Sequence, residues 1–488
     1  MPRHHSSADK GLFIGFLILM FWLPLPLGSN RPWAWAIMEV WIFSLFLVWL
    51  WGFWQGRFKL TPVFYKAKPI FILFGLWLFY IAFQCIPLPY FLIEWLSPEA
   101  ASMQALWTAH PTTATLSVTP HTTAISLLKS ISYVLLFVLT LLLVRRAKRL
   151  RWLAYTLVLS GLFQAVYGSI LTLSGIDSLF LEKVPYAGLA TGSFINRNHL
   201  AGYLEMCLAV GIGLLIAQLK DSDNTTWRQR LRSLVAWVLS DKMRLRLYLV
   251  MMVIALVLTH SRMGNTAFFA SMMIAGVVGL ILFRQHAPRA TVILLVTLIV
   301  IDILIVGAWF GVEKVAQRLQ QTSLVSEERD EVNIYSISYW QDYLWTGSGL
   351  GSYKLTFPRY RGDDVRGFFD HAHNDYLEFG AETGIIGLLL LGSIVIFSLG
   401  LALLAQYRRR DSLSRGIAFS AFMAITALLI HSSVDFNLQI PANAATFIVI
   451  LAMAWLAYFL KPETRRKSKV RKRVVLAVES KVQNNPIP

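Results

Sequence analysis

The chain has 488 residues, of which 56% are hydrophobic and only 15% charged, whereas soluble domains carry nearer a quarter charged residues. Aromatic residues make up 13%, with 17 Trp and 17 Tyr, and such rings favour the headgroup level of a bilayer. A formal net charge of +18 invites a nucleic-acid partner, but the basic residues lie between apolar runs rather than on one patch; lipid is the expected solvent and no nucleic acid is expected.

The N-terminal stretch MPRHHSSADK leads into an apolar run without a small-residue cleavage site, so it reads as a retained first helix rather than a removed signal peptide. A membrane span needs roughly twenty apolar residues. Runs of about that length predict about twelve transmembrane helices, over residues 11–27, 33–54, 69–85, 130–144, 152–173, 200–219, 247–258, 267–283, 291–310, 384–404, 417–434 and 444–460. The expected class is an all-α integral membrane protein. It divides into nine helices over 1–310, a large extracytoplasmic loop over 311–383, three helices over 384–460 and a basic tail over 461–488. A cytoplasmic N-terminus puts most of the 45 Lys and Arg on the inside, including Arg145, Arg146, Lys148, Arg149, Arg408, Arg409, Arg410 and the tail, as the positive-inside rule requires. Both termini are then cytoplasmic, and the tail reads as a segment drawn to anionic lipid. Cys85 and Cys207 fall in apolar stretches and should pack as small hydrophobes, so no disulfide framework or zinc cluster is expected.

Three outside segments, 87–126, 175–198 and 311–383, are long enough to hold chemistry. The last begins with a helix-compatible stretch, 313–321, and contains Trp340, Trp345 and several Tyr expected to lie against the membrane surface; a small cap follows. It closes with HAHNDYLEFGAETGIIG from His371 to Gly387. Asn374 or Asp375 should cap a short helix through Glu382, which Gly384 should end. His373 then sits beside that N-terminus, where unpaired N–H groups disfavour imidazolium and leave a neutral ring that suits a general base. An ordinary polar loop is the alternative for His371 and His373. A metal site built from His371, His373, Asp370 and Asp375 is a third reading, set aside because no Cys or spaced Asp pair supports it.

Arg197 and Arg262 each lie at the outer end of a span, where a cation is costly unless paired or working, and a guanidinium fork suits phosphate oxygens. Snorkelling to lipid headgroups is the competing explanation for each. Arg359, Arg361 and Arg366 read as surface, and GSGLGSY from Gly347 to Tyr353 as a turn rather than a phosphate cradle. Glu39 and Asp302, inside predicted spans, leave a transporter or flippase open.

The pair His373-Asn374, nine further residues, and then Gly384-Ile-Ile-Gly387 resemble the C-terminal signature of the O-antigen ligase and polymerase superfamily. The resemblance, with its twelve spans and large late external loop, implies a GT-C-like fold in the bacterial inner membrane. It further implies metal-independent, cofactor-free, inverting transfer of a glycan from undecaprenyl diphosphate to an acceptor hydroxyl. His373 resembles the family's base, and Arg197 and Arg262 its diphosphate-binding arginines, with His199, His371 and Asn374 as possible supporting residues. The expected partners are the lipid-linked donor, a lipid A-core or glycan acceptor, and membrane lipids. Ligation in lipopolysaccharide biosynthesis is the leading expectation; polymerisation of O-antigen or exopolysaccharide uses the same chemistry, and protein glycosylation remains open.

Overall fold

The computed structural model describes residues 9–106, 111–175, 188–219, 241–283 and 324–462, with isolated positions between 292 and 300. Twelve longer helices organise these segments: α1 (Lys10–Trp22), α2 (Pro32–Trp54), α3 (Lys68–Gln84), α4 (Pro120–Leu143), α5 (Ala147–Ser174), α6 (Arg197–Gln218), α7 (Asp241–Leu258), α8 (Arg262–Phe283), α9 (Leu324–Asp342), α10 (Asp375–Arg408), α11 (Ser412–His431) and α12 (Pro441–Phe459). Eight of them are long and apolar enough to cross a membrane, and α1 and α3 are shorter apolar helices. The predicted spans before residue 284 and after 383 thus correspond to helices. The predicted span 291–310 and the stretch 313–321 lie largely or wholly outside the described residues, as does Asp302. Among the described residues the only sheet is a strand pair, β1 (Leu88–Pro89) antiparallel to β2 (Thr113–Ala114).

The bundle is built around α6, whose side chains are buried without a break from His199 to Ile216. It packs chiefly on α11. Close approach is possible because Gly213 and Gly416 face one another, and a Cβ on either would strike the other's carbonyl oxygen, as at small-residue crossings in membranes. By contrast, α2 exposes Leu47, Val48, Trp51 and Trp54, the arrangement expected where the solvent is lipid. At one end the basic residues are tied down. Arg149 donates to both oxygens of Asp9, at 2.7 and 2.8 Å, and Arg409 donates to the Leu460 carbonyl at 2.6 Å.

The other end carries a cap with its own core, including Ile93, Ala101, Leu116, Tyr339, Tyr343, Tyr353 and Phe357. The described parts of two segments predicted as separate outside loops, 87–106 with 111–126 and 324–383, therefore pack as one body, pinned in part by Arg359 to Glu99 at 2.6 Å. Tyr339, Tyr343 and Tyr353 are interior to the cap rather than laid against the membrane, and two of their hydroxyls find partners there: Tyr353 pairs with Ser336 at 2.6 Å and Tyr339 with Ser348. Trp345 is exposed.

The Gly-rich segment is a turn, with Gly347, Gly349 and Gly351 all at positive φ. It docks on the first part of α10, where Ser348 N–H donates to the Ala381 carbonyl at 3.0 Å and Gly349 N–H to that of Glu382 at 2.9 Å. Helix α10 kinks at Gly384 (φ 60, ψ −172), and a Cβ there would collide with the Trp345 carbonyl. The first glycine of the signature is thus a backbone requirement: only glycine takes this conformation readily.

Candidate active site

His373 has a left-handed backbone (φ 52), which turns the chain into Asn374. Asn374 caps α10, its Oδ1 accepting from Tyr376 N at 3.0 Å and Leu377 N at 3.2 Å. Asp375 then anchors the motif to the connection between α11 and α12. Its N–H donates to the Ser432 carbonyl at 2.9 Å, and its Oδ2 accepts from Ser432 Oγ at 2.7 Å and Leu438 N at 3.1 Å.

That connection brings in Asp435 and Phe436. Asp435 is fully buried, and three imidazoles from three elements approach it: His373 Nδ1 at 3.7 Å and His199 Nε2 at 3.8 Å from Oδ1, and His431 Nε2 at 3.9 Å from Oδ2. Burial would raise the Asp435 pKa, but these imidazoles outweigh it and hold the carboxyl well below the usual range. His431 also reaches Glu205 of α6, Nδ1 to Oε1 at 2.8 Å. Phe436 packs among the same rings: its centroid is 4.6 Å from His199, 4.4 Å from His371 and 4.7 Å from His373. His371 is turned away from Asp435 and pairs with Glu378, Nδ1 to Oε1 at 2.7 Å.

Helix α6 supplies His199 within its first turn, with Arg197 as its first residue and Asn196 as its cap. Helix α8 starts at Arg262, which is exposed; Ser261 caps it by accepting from Gly264 N at 3.1 Å. A Cβ at Gly264 would meet Ala201 and approach Glu205, so the start of α8 lies against α6 beside the Glu205–His431 pair. The starts of α6, α8, α10 and α12 and the end of α11 therefore share one end of the bundle, under the cap. His373, His199 and His371 come together around Phe436, while Arg197 and Arg262 sit at helix starts on that same end.

Sequence reasoning missed Asp435, His431, Glu205 and Phe436. Glu205 and His431 carried a usable signal, since each is ionisable within a predicted span; the rule that drew attention to Glu39 applies to them equally. Phe436 had none, because its role depends on tertiary contacts. The four residues of the metal reading do not converge: Asp375 is directed to Ser432 and His371 to Glu378. Among the described residues, no three His, Cys, Asp or Glu side chains are grouped to hold a metal ion.

Chemically, a buried carboxylate beside one imidazole nitrogen orients the ring and stabilises its cation, leaving the opposite nitrogen to take a proton. Together these features define a multi-pass membrane protein with an imidazole–carboxylate site beneath an extramembrane cap. Residues 247–392 match the family model for O-antigen ligase, so this part of the chain is similar to the superfamily whose signature the His373–Gly387 motif resembles. A search of curated proteins finds no match.

Proposed function

We propose that this protein transfers a glycan from undecaprenyl diphosphate to an acceptor hydroxyl at the outer face of the bacterial inner membrane, with the lipid A-core as acceptor. The observation that carries the reading is the position of His373: it ends the cap, abuts buried Asp435 at 3.7 Å, and belongs to the segment that matches the O-antigen ligase model. A diphosphate is already a good leaving group, so the protein must chiefly position the acceptor oxygen, remove its proton and steady charge on the departing phosphate. His373 takes that proton as the C–O bond forms at the anomeric carbon and the bond to the diphosphate breaks. Arg197 and Arg262 hold the diphosphate, a role that guanidinium geometry suits. Attack opposite the leaving group inverts the anomeric centre, and no step calls for a metal.

Purified protein with a lipid-diphosphate glycan tests this directly. Release of free undecaprenyl diphosphate only when lipid A-core is present supports ligation. Chain growth on a second lipid-linked unit instead supports a polymerase, and movement of intact donor across vesicles without transfer would replace the enzyme reading with a transporter.

A further inference from the structure

His371 stands two residues from the proposed base yet has a different environment. Its Nδ1 is committed to Glu378 Oε1 at 2.7 Å, and the second carboxylate oxygen accepts the Ala372 N–H at 2.9 Å. Glu378 is thereby held at both oxygens and is itself almost fully buried. The His371 ring lies stacked on Phe436, with centroids 4.4 Å apart and planes at 20°, whereas His373 and His199 meet the same phenyl edge-on. The His371 side chain retains 23% exposure, so it is fixed on one side and open on the other.

A histidine in this setting is a poor base and a good cation. Burial alone would lower its pKa, but Glu378, with Asp370 and Glu382 beyond it, prevails and pushes it up to about 9. Its other charged or titratable neighbours are His199, and His373 and Asp435 across Phe436. An imidazolium has no lone pair to accept a proton, and both its nitrogens donate. With Nδ1 engaged, Nε2–H is the donor that remains, and charge-assisted hydrogen bonds to phosphate are among the stronger polar contacts.

We propose that His371 is a donor-binding cation, its Nε2–H donating to a phosphate oxygen of the lipid diphosphate while His373 does the proton transfer. This rests on the glycan-transfer reading above and adds a ligand contact to it. Free undecaprenyl diphosphate is the probe, its binding to the full-length protein in detergent measured across pH 6 to pH 10; it needs neither the sugar nor the acceptor to be known. Wild-type affinity should hold at neutral pH and fall as pH rises through about 9, a window above the second ionisation of the phosphate, about 6. His371→Gln should weaken binding at neutral pH roughly ten- to a hundredfold, and His371→Arg should restore most of it. Glu378→Gln should move the fall toward the ordinary histidine value of about 6.5.

A His371→Gln protein that melts as wild type does and binds equally well at every pH would overturn the proposal, as would equal losses in the Gln and Arg variants. Should His371→Gln fail to fold, the wild-type and Glu378→Gln pH curves decide, and identical curves count against it. If wild type binds no undecaprenyl diphosphate at all, the donor reading falls and this contact with it.

Discussion

His371 and His373 are separated by one alanine and end in opposite surroundings: the first is bound to a buried glutamate, the second faces Asp435 at 3.7 Å. The difference predicts different phenotypes. His373→Ala should lower turnover by about a hundredfold to ten-thousandfold, the usual contribution of general-base help, with donor affinity little changed; single-turnover kinetics separate the two. Asp435 is held below the ordinary carboxylate range, so its stabilising effect is present above the unfolded pKa of about 3.9 and lost as pH falls through the lower folded value. Asp435 therefore stays ionised across the working range, and Asp435→Asn should cut turnover at every pH near neutrality rather than shift the profile. The sign is reversed for His371. Its folded pKa is raised to about 9, so its contribution to stability is complete below about 6.5 and fades as pH rises through about 9; the wild-type Tm should drop over that interval more than that of His371→Gln. The Asn374 cap, with His373 just before it, was legible in sequence because a cap depends on neighbours within a few residues. Asp435 was not, because its significance comes from His199, His373 and His431 arriving from three separate elements.

At the scale of elements, the kink in α10 divides a cap-docked segment from the span that follows. Gly384→Ala places a Cβ against the Trp345 carbonyl in a backbone conformation that suits glycine; a loss of about 2–4 kcal/mol is expected, read as a lowered Tm in detergent. Gly392→Ala in the same helix meets nothing within 4 Å and should be neutral or slightly stabilising, since Ala is the better helix former. Equal losses at the two positions would show that the kink is not the cause. The spans were legible because lipid demands long apolar runs, though α4 begins at Pro120, ten residues ahead of the predicted start. Those residues, PHTTAISLLK, are too polar to score as a span, and they extend the helix toward the cap.

Across the whole molecule, charge divides the ends: Arg145, Arg149 and Arg409 are paired at one, and the histidine cluster lies at the other under the cap. Composition and charge in the sequence carried this division, but not the joining of two distant loops into one cap, which depends on contacts such as Arg359 with Glu99. In a Cys85→Ser background, Trp95→Cys on the exposed cap surface should react with an impermeant maleimide in intact spheroplasts, and Arg410→Cys only after permeabilisation. The central claim is glycan transfer from a lipid diphosphate by His373. Its most direct test is the acceptor-dependent release of undecaprenyl diphosphate from a glycan-loaded donor by the purified protein. Wild type should release it and attach the glycan to the acceptor, while His373→Ala, folded and still binding donor, should be slower by at least about a hundredfold. Equal release by the two proteins would contradict the account.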